Sequence, residues 1–351
     1  MAAGDGTGSK AFRIVVYSAQ SYVLEFLHKP LVDAFGEDNV NFVEARLDKA
    51  TAELAKGCSA ACLFVNDVCD EEVVGKLADA GVKVIAMRCA GFDRVDLEAA
   101  RRHGIDVVRV PTYSPRTVAE HAMALAYALA RELKHQMQRM AAGNYTLNGV
   151  VGTQLSYKTY GVMGTGNIGI EMIKLLRAFE GRILCYDPYP SQVAKDLGVE
   201  YVELEYLLKE SDLISLHCPL MPSTFHIMNE KHFNLMKPSC ILINISRGGL
   251  IDTNALIAAL EANKLAGVAM DVYEDEGNLF DEDFTDFSSR DRMAKWDRRW
   301  AYLKFLPQVI VTPHSAFLTH EALSSIAETT VQNLKEAAAG GKLTNLVKPK
   351  T

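Results

Sequence analysis

The chain is 351 residues long, 49% hydrophobic and 23% charged, with a formal net charge of -7. A single core usually divides beyond about 250 to 300 residues, so two domains are expected, each with ample apolar material to bury. The negative balance, with no basic stripe interleaved with aromatics, argues against nucleic acid as a partner, and no apolar stretch approaches the length that about 30 Å of hydrocarbon requires, so no membrane span is expected.

Residues 1–10 are small, polar and Gly-rich, without the apolar core of a signal peptide or the arginines of a transit peptide. They read as the loose terminus of a cytoplasmic protein. Short apolar runs at 13–17, 61–65 and 84–87 then alternate with segments of helical period, which is the pattern of an α/β unit. The cysteines are odd in number and scattered, at Cys58, Cys62, Cys69, Cys89, Cys185, Cys218 and Cys240, with no CxxC pair. They read as buried free thiols in a reducing compartment, and no metal site is expected.

A fourth run at 106–110 ends at Pro111, and Pro115 bars a regular helix across 112–115, so the chain is expected to cross between domains here. Residues 118–140, rich in Ala, Leu and Met and followed by Gly143, read as one long helix that needs cover on more than one side; it could be a core helix, but a subunit interface is the favoured cover. Apolar runs at 159–163, 182–186, 213–216, 241–245 and 267–270, joined by helical segments, imply a parallel sheet covered on both faces. Residues 274–300 are crowded with charge and aromatics. In them Arg290, Arg292, Lys295, Arg298 and Arg299 alternate with Asp291 and Asp297, which reads as a solvated mixed-charge helix face. A last strand at 309–312 precedes a final helix over about 321–340, expected to pack back on the first domain.

Gly164, Thr165, Gly166, Asn167, Ile168 and Gly169 fit G-x-G-x-x-G, a pattern that is weak alone and strong in context. It follows the strand ending at Met163, opens a helix over 170–179, and is followed about twenty residues later by Asp187 at the end of the next strand. Gly164 permits the tight turn, Gly166 lets the backbone approach a pyrophosphate, and Gly169 lets the helix pack on the strand; the phosphates meet a helix N-terminus. Asp187 would accept from the adenosine ribose hydroxyls and repel a 2′-phosphate, so NAD is expected over NADP.

Three residue types at strand ends fit the reduction of a 2-oxo acid, which needs a cation for the carboxylate, a proton donor for the carbonyl oxygen, and a group to keep that donor charged. Arg247 follows the run 241–245 and precedes Gly248 and Gly249, placing a guanidinium able to grip a carboxylate bidentately. His314 follows Pro313 after the last strand, suited to a general acid. A carboxylate partner favouring the imidazolium is available in the acidic run Asp271, Glu274, Asp275 and Glu276, among which spacing alone does not choose.

Taken in order, residues 164–169, Asp187, Asn244-Ile245-Ser246-Arg247-Gly248-Gly249, Ala269-Met270-Asp271-Val272-Tyr273-Glu274 and Thr312-Pro313-His314-Ser315-Ala316 closely resemble the D-isomer-specific 2-hydroxyacid dehydrogenase family, over about 13–347. The resemblance implies two Rossmann-like, doubly wound parallel-sheet domains with the active site in the cleft between them. Residues 11–112 with 315–351 would form the discontinuous substrate-binding domain, and 113–314 the NAD-binding domain. It implies Arg247 as the catalytic, carboxylate-binding arginine, His314 as the acid/base and Glu276 as its carboxylate partner, with further NAD contacts at Asn167, Ile168, Asp187, Cys218, Pro219, Thr224, Ile245, Ser246 and Asp271. Tyr113 and Phe317 would shape a small pocket for the substrate methyl group, and backbone amides near Ala90 and Gly91 would meet its carboxylate.

Within the family the sequence is most similar to the fermentative D-lactate dehydrogenases, through 110–115 ahead of 119–122, the charged aromatic insertion after Glu276, and 316–319 after the histidine. The expectation is a cytoplasmic homodimer reducing pyruvate with NADH to D-lactate, the first domain closing on the oxo acid and excluding water. Alternatives are a relative acting on hydroxypyruvate, glyoxylate or a larger 2-oxo acid, and, from another class, an NAD-sensing binding protein of the corepressor type.

Overall fold

The computed structural model describes residues 11–280 and 282–348, so the leader 1–10 lies outside the described residues. The chain divides into two compact units, residues 1–114 with 319–351 and residues 115–318. Each carries one parallel sheet flanked by helices, the architecture that alternating strand and helix patterns predict.

The first unit contains β1 Ile14–Val16, β2 Val40–Phe42, β3 Ala60–Leu63, β4 Val84–Met87 and β5 Asp106–Arg109, in the order β2-β1-β3-β4-β5. Strands β1, β3 and β4 are fully buried and read as continuous apolar runs because helices cover both faces. One face packs Ile14, Val16, Ala60, Cys62, Val84, Ala86 and Val108 against Leu27 and Leu31 and against Ala327, Val331 and Leu334 of the last helix, His320–Ala338. The edge strand β2 escapes sequence reading because its three residues, Val-Asn-Phe, are too few and too exposed to show a period.

The second unit contains β6 Thr159–Met163, β7 Arg182–Tyr186, β8 Glu200–Tyr201, β9 Leu213–Leu216, β10 Ile241–Asn244, β11 Gly267–Met270 and β12 Val309–Val311. The order is β12-β11-β10-β9-β6-β7-β8, every pair parallel, so all carboxyl ends lie along one edge. The chain runs outward from β6 through β7 to β8, then returns to place β9 on the other side of β6. This reversal is the position at which open α/β sheets bind ligands.

Two expectations are corrected here. Pro115 opens the helix Pro115–Ala130 instead of barring it, because a proline in the first helical position lacks an N–H that would have no partner there anyway. The expected single helix over 118–140 is two, Pro115–Ala130 and Leu133–Ala141. Between them Glu132 turns into the left-handed region (φ 53°), and the Thr153 N–H takes the Ala130 carbonyl that a continuous helix would have used. The first helix buries Val118, Ala122, Leu125, Ala126 and Leu129, packed on the helix Asn167–Leu176, so that face belongs to the core of its own unit.

The mixed-charge stretch forms the helices Ser289–Lys295 and Arg298–Phe305, capped by Ser288 and Asp297. Trp300 packs inward, on Tyr273 (5.0 Å between ring centres) and on Phe280 (5.4 Å), while Tyr302 and Phe305 are exposed. Arg290, Lys295 and Arg298 are exposed as expected of a solvated face, but Arg299 is not free in solvent: it is clamped between Asp275 (2.5 Å) and Asp297 (2.9 Å). No helix among the described residues is long and apolar enough to cross a membrane.

Candidate active site

The glycine loop sits at the reversal, between the carboxyl ends of β6 and β9. Gly164 has φ +96°, and a Cβ there would lie 2.6 Å from the Cys218 amide nitrogen, so the loop after β6 and the loop after β9 touch backbone to backbone. A Cβ on Gly169 would stand 2.0 Å from the Gly164 carbonyl oxygen, which fixes how closely the helix Asn167–Leu176 meets the turn. Gly166 is different. It caps that helix without a side-chain hydrogen bond and faces open space, with nothing within 4 Å of an added Cβ. An open, side-chain-free helix N-terminus fits the diphosphate of a dinucleotide.

Asp187 follows β7. Its Oδ2 accepts from the Thr165 amide (2.6 Å) and hydroxyl (2.9 Å), and its Oδ1 from the Tyr189 amide (2.8 Å). After β9, Cys218, Pro219 and Thr224 lie on a loop folded on itself: the Thr224 hydroxyl donates to the Pro219 carbonyl (2.7 Å) and accepts from the Met221 amide (2.8 Å). The Ser246 hydroxyl donates to the Cys218 carbonyl (2.7 Å) and joins this loop to the one after β10, behind which Ile245 is buried. Burial pushes the Cys218 thiol up to about 11, so it is neutral and no nucleophile.

Arg247 stands after β10, its Nη1 donating to the Ser246 carbonyl (2.8 Å). The glycine after it is required: a Cβ on Gly248 would lie 2.0 Å from the Tyr273 carbonyl carbon and 2.3 Å from the Glu274 nitrogen. Arg247 is therefore presented directly beside the acidic run that follows β11.

That run resolves into four separate tasks. Asp271 is fully buried and accepts from the Thr312 hydroxyl (2.5 Å) and from the Ser315 (2.9 Å) and Ala316 (2.8 Å) amides, with His121 Nε2 at 3.4 Å. Burial opposes its charge, but hydrogen bonds from His121 and Thr312 outweigh that and hold the carboxyl below the usual range. Glu274 accepts from the Thr253 hydroxyl (2.7 Å) and pairs with His226 (2.6 Å). Asp275 pairs with Arg299. Glu276 alone meets His314: its Oε1 lies 2.9 Å from Nδ1, and its Oε2 accepts from the Tyr273 amide (3.0 Å).

His314 adopts φ 56°, a conformation uncommon outside glycine that costs on the order of 1 kcal/mol or more and persists where surroundings enforce it. Here Asp271 latches the backbone on its far side and Glu276 holds its ring. An ionised carboxylate only accepts, so Nδ1 carries the hydrogen of this contact and Nε2 takes no part in it.

Of the other expected residues, Asn167 is exposed and Ile168 half-buried on the first turn of the helix after the glycine loop, and Phe317 is half-buried three residues beyond His314. In the first unit, Ala90 and Gly91 follow β4, with the Ala90 carbonyl accepting from Arg109 (2.8 Å), and Tyr113 follows β5 half-buried. Sequence reasoning assigned no role to three residues that the structure places close by. His121 and Thr312 complete the Asp271 cluster, a link between residues nearly two hundred positions apart that no local pattern signals. His217, at the end of β9, has both ring nitrogens buried without a hydrogen-bond partner, and burial lowers it to about 3. Its place at a strand end, just before Cys218, was the available signal.

Residues 123–316 match the family model for the D-isomer specific 2-hydroxyacid dehydrogenase, NAD binding domain. The chain is 44% identical over 328 residues to the D-lactate dehydrogenase of Escherichia coli, covering 93% of this chain and 97% of that one. It is 41% identical over 337 residues to a 2-hydroxyacid dehydrogenase homolog of Haemophilus influenzae, covering 96% and 99%. Among solved structures, the pyruvate reductase of Chlamydomonas reinhardtii superposes with a TM-score of 0.90 at 48% identity, covering 96% of this chain and 99% of that one.

Proposed function

The chain belongs to the D-isomer-specific 2-hydroxyacid dehydrogenase family, an NAD-dependent family of oxidoreductases, and from that premise we propose that it reduces pyruvate to D-lactate. The observation that carries this reading is the alignment of Arg247, Glu276 and His314 on the carboxyl ends of three neighbouring strands, β10, β11 and β12, beside the glycine loop. The kinship with a D-lactate dehydrogenase and a pyruvate reductase supports the choice of acid.

In this reading the loop 164–169, with Asn167 and Ile168 on the first helical turn, holds the diphosphate of NAD, and Asp187 accepts from the adenosine ribose. Cys218, Pro219, Thr224, Ile245, Ser246 and Arg247 would hold its nicotinamide half, and Asp271 fixes the loop that carries His314. The reduced cofactor, when bound, supplies the hydride. Arg247 binds the substrate carboxylate with two parallel charge-assisted hydrogen bonds and orients the carbonyl. His314 delivers the proton from Nε2 to the carbonyl oxygen, and Glu276 stabilises the positive ring until it does. Phe317 contributes to the substrate pocket on the second unit, which serves as NAD domain, and the first unit, with Ala90, Gly91 and Tyr113, serves as substrate domain.

The same reading includes a cytoplasmic homodimer. The helix Leu133–Ala141 and the segment after it expose Leu133 (41%), Met137 (70%), Met140 (56%), Leu147 (82%) and Val151 (89%), an apolar surface that a second copy would cover. Light scattering should give twice the chain mass, and Met137→Glu should shift it toward one.

Initial rates of NADH oxidation across pyruvate, hydroxypyruvate, glyoxylate and branched 2-oxo acids test the assignment. The highest kcat/KM is expected with pyruvate. A larger acid in first place would keep the mechanism and reassign the pocket, and binding of NADH without turnover on any of them would contradict the enzyme reading.

A further inference from the structure

We infer that Tyr201, through Thr165, determines the preference for NAD over NADP by locking the Asp187 carboxylate in place. The inference rests on the reading above that Asp187 meets the adenosine ribose, and it concerns residues outside the G-x-G-x-x-G pattern's glycines.

Tyr201 lies on the short edge strand β8, paired with β7, whose far end leads to Asp187. Its hydroxyl is 2.9 Å from the Thr165 hydroxyl and 2.8 Å from the Ser191 amide. Thr165 in turn gives both its amide (2.6 Å) and its hydroxyl (2.9 Å) to the same oxygen of Asp187. Only one arrangement of hydrogens satisfies the set. An ionised carboxylate has no hydrogen to give, so the Thr165 hydroxyl donates to it. That spends the threonine's only hydroxyl hydrogen, so its oxygen accepts from Tyr201. The tyrosine oxygen then accepts from the Ser191 N–H. The result is a one-way relay from Ser191 through Tyr201 and Thr165 to Asp187, with Thr165 only 3% exposed.

The consequence is positional. With Oδ2 fixed by two donors and Oδ1 by the Tyr189 amide (2.8 Å), the carboxylate cannot rotate or withdraw. Ribose hydroxyls meet a preorganised acceptor, whereas a 2′-phosphate meets a negative charge that has nowhere to turn. Removing the Tyr201 hydroxyl takes away the donor that orients the Thr165 oxygen, so the Thr165 hydroxyl's bond to Asp187 is no longer held from behind and the backbone amide becomes the one fixed donor on that side. Affinity for NADH should then fall and the rejection of NADPH should soften, changes of opposite sign that a loss of general stability does not produce.

Fluorescence titration of the full chain with NADH and with NADPH, without substrate, reads this directly. Tyr201→Phe is expected to narrow the ratio of the two Kd values by about five- to tenfold, the scale of one hydrogen bond. Thr165→Val, which removes the middle hydroxyl at constant shape, should narrow it at least as much. Adding Tyr201→Phe to Asp187→Ala should change nothing further. If both cofactors weaken equally in Tyr201→Phe and Thr165→Val, or neither changes, while Asp187→Ala collapses the ratio, the relay is overturned and the ribose reading stands. If the ratio survives Asp187→Ala, the ribose reading itself is wrong.

Discussion

Glu276 divides its two oxygens between a backbone amide and an imidazole, so charge and position can be tested apart. Glu276→Gln keeps the shape and a hydrogen bond but removes the charge facing His314; kcat/KM for pyruvate should fall on the order of 10-fold to 10²-fold, whereas His314→Gln, which removes the proposed acid, should cost on the order of 10² to 10⁴. Equal activity in His314→Gln and the native chain would remove the histidine from the mechanism. His217 offers a second residue-scale prediction. Its native ring stays neutral down to about 3, while in the unfolded chain it takes a proton near its ordinary value of about 6.5. The unfolded state therefore binds more protons between those values, so His217's contribution to stability is intact above about pH 6.5 and is lost as pH falls toward 3, at up to roughly 1.4 kcal/mol per pH unit. Urea unfolding at about pH 7 and pH 5 should show a smaller loss in His217→Asn than in the native chain. An identical loss in both would mean that the ring is protonated in the native state.

The elements show why some of the structure was legible in the sequence and some was not. Strands buried on both faces, such as β6 and β10, are unbroken apolar runs whose limits can be read within a residue. The edge strands β2 and β8 are two or three residues long and half exposed, so no period marks them. The helix break at Glu132 is invisible for another reason: Arg131 and Glu132 are good helix formers, and the break comes from Thr153, twenty residues on, capturing the Ala130 carbonyl. The insertion helix Arg298–Phe305 likewise has a task that its charge pattern concealed. Arg299 grips Asp275, next to Glu276, and Asp297 accepts from the Tyr273 hydroxyl (2.6 Å), so the helix clamps both ends of the turn that aims Glu276. Arg299→Met should lower kcat several-fold with the Kd for NADH unchanged. An effect on NADH binding instead, or none on kcat, would show that the clamp serves another part of the fold.

At the scale of the molecule, the order of motifs along the chain carried most of the functional reading, because a parallel sheet turns residues that follow successive strands into neighbours on one edge. The loop 164–169, Arg247, Glu276 and His314 are spread over about 150 positions yet follow β6, β10, β11 and β12. What the sequence could not supply was the second layer: Asp271 with His121 and Thr312, the close approach that requires Gly248, and the relay behind Asp187 all join segments remote in the chain. The central claim is stereochemical as well as chemical, since in the proposed reading the residues that would hold cofactor and substrate are fixed on one edge of one sheet. The measurement that tests it most directly is chiral separation of the product formed from pyruvate and NADH by the purified chain. The account predicts D-lactate alone, with its formation abolished in parallel by Arg247→Ala and strongly reduced by His314→Gln; L-lactate, a racemic product, or no lactate at all would contradict it.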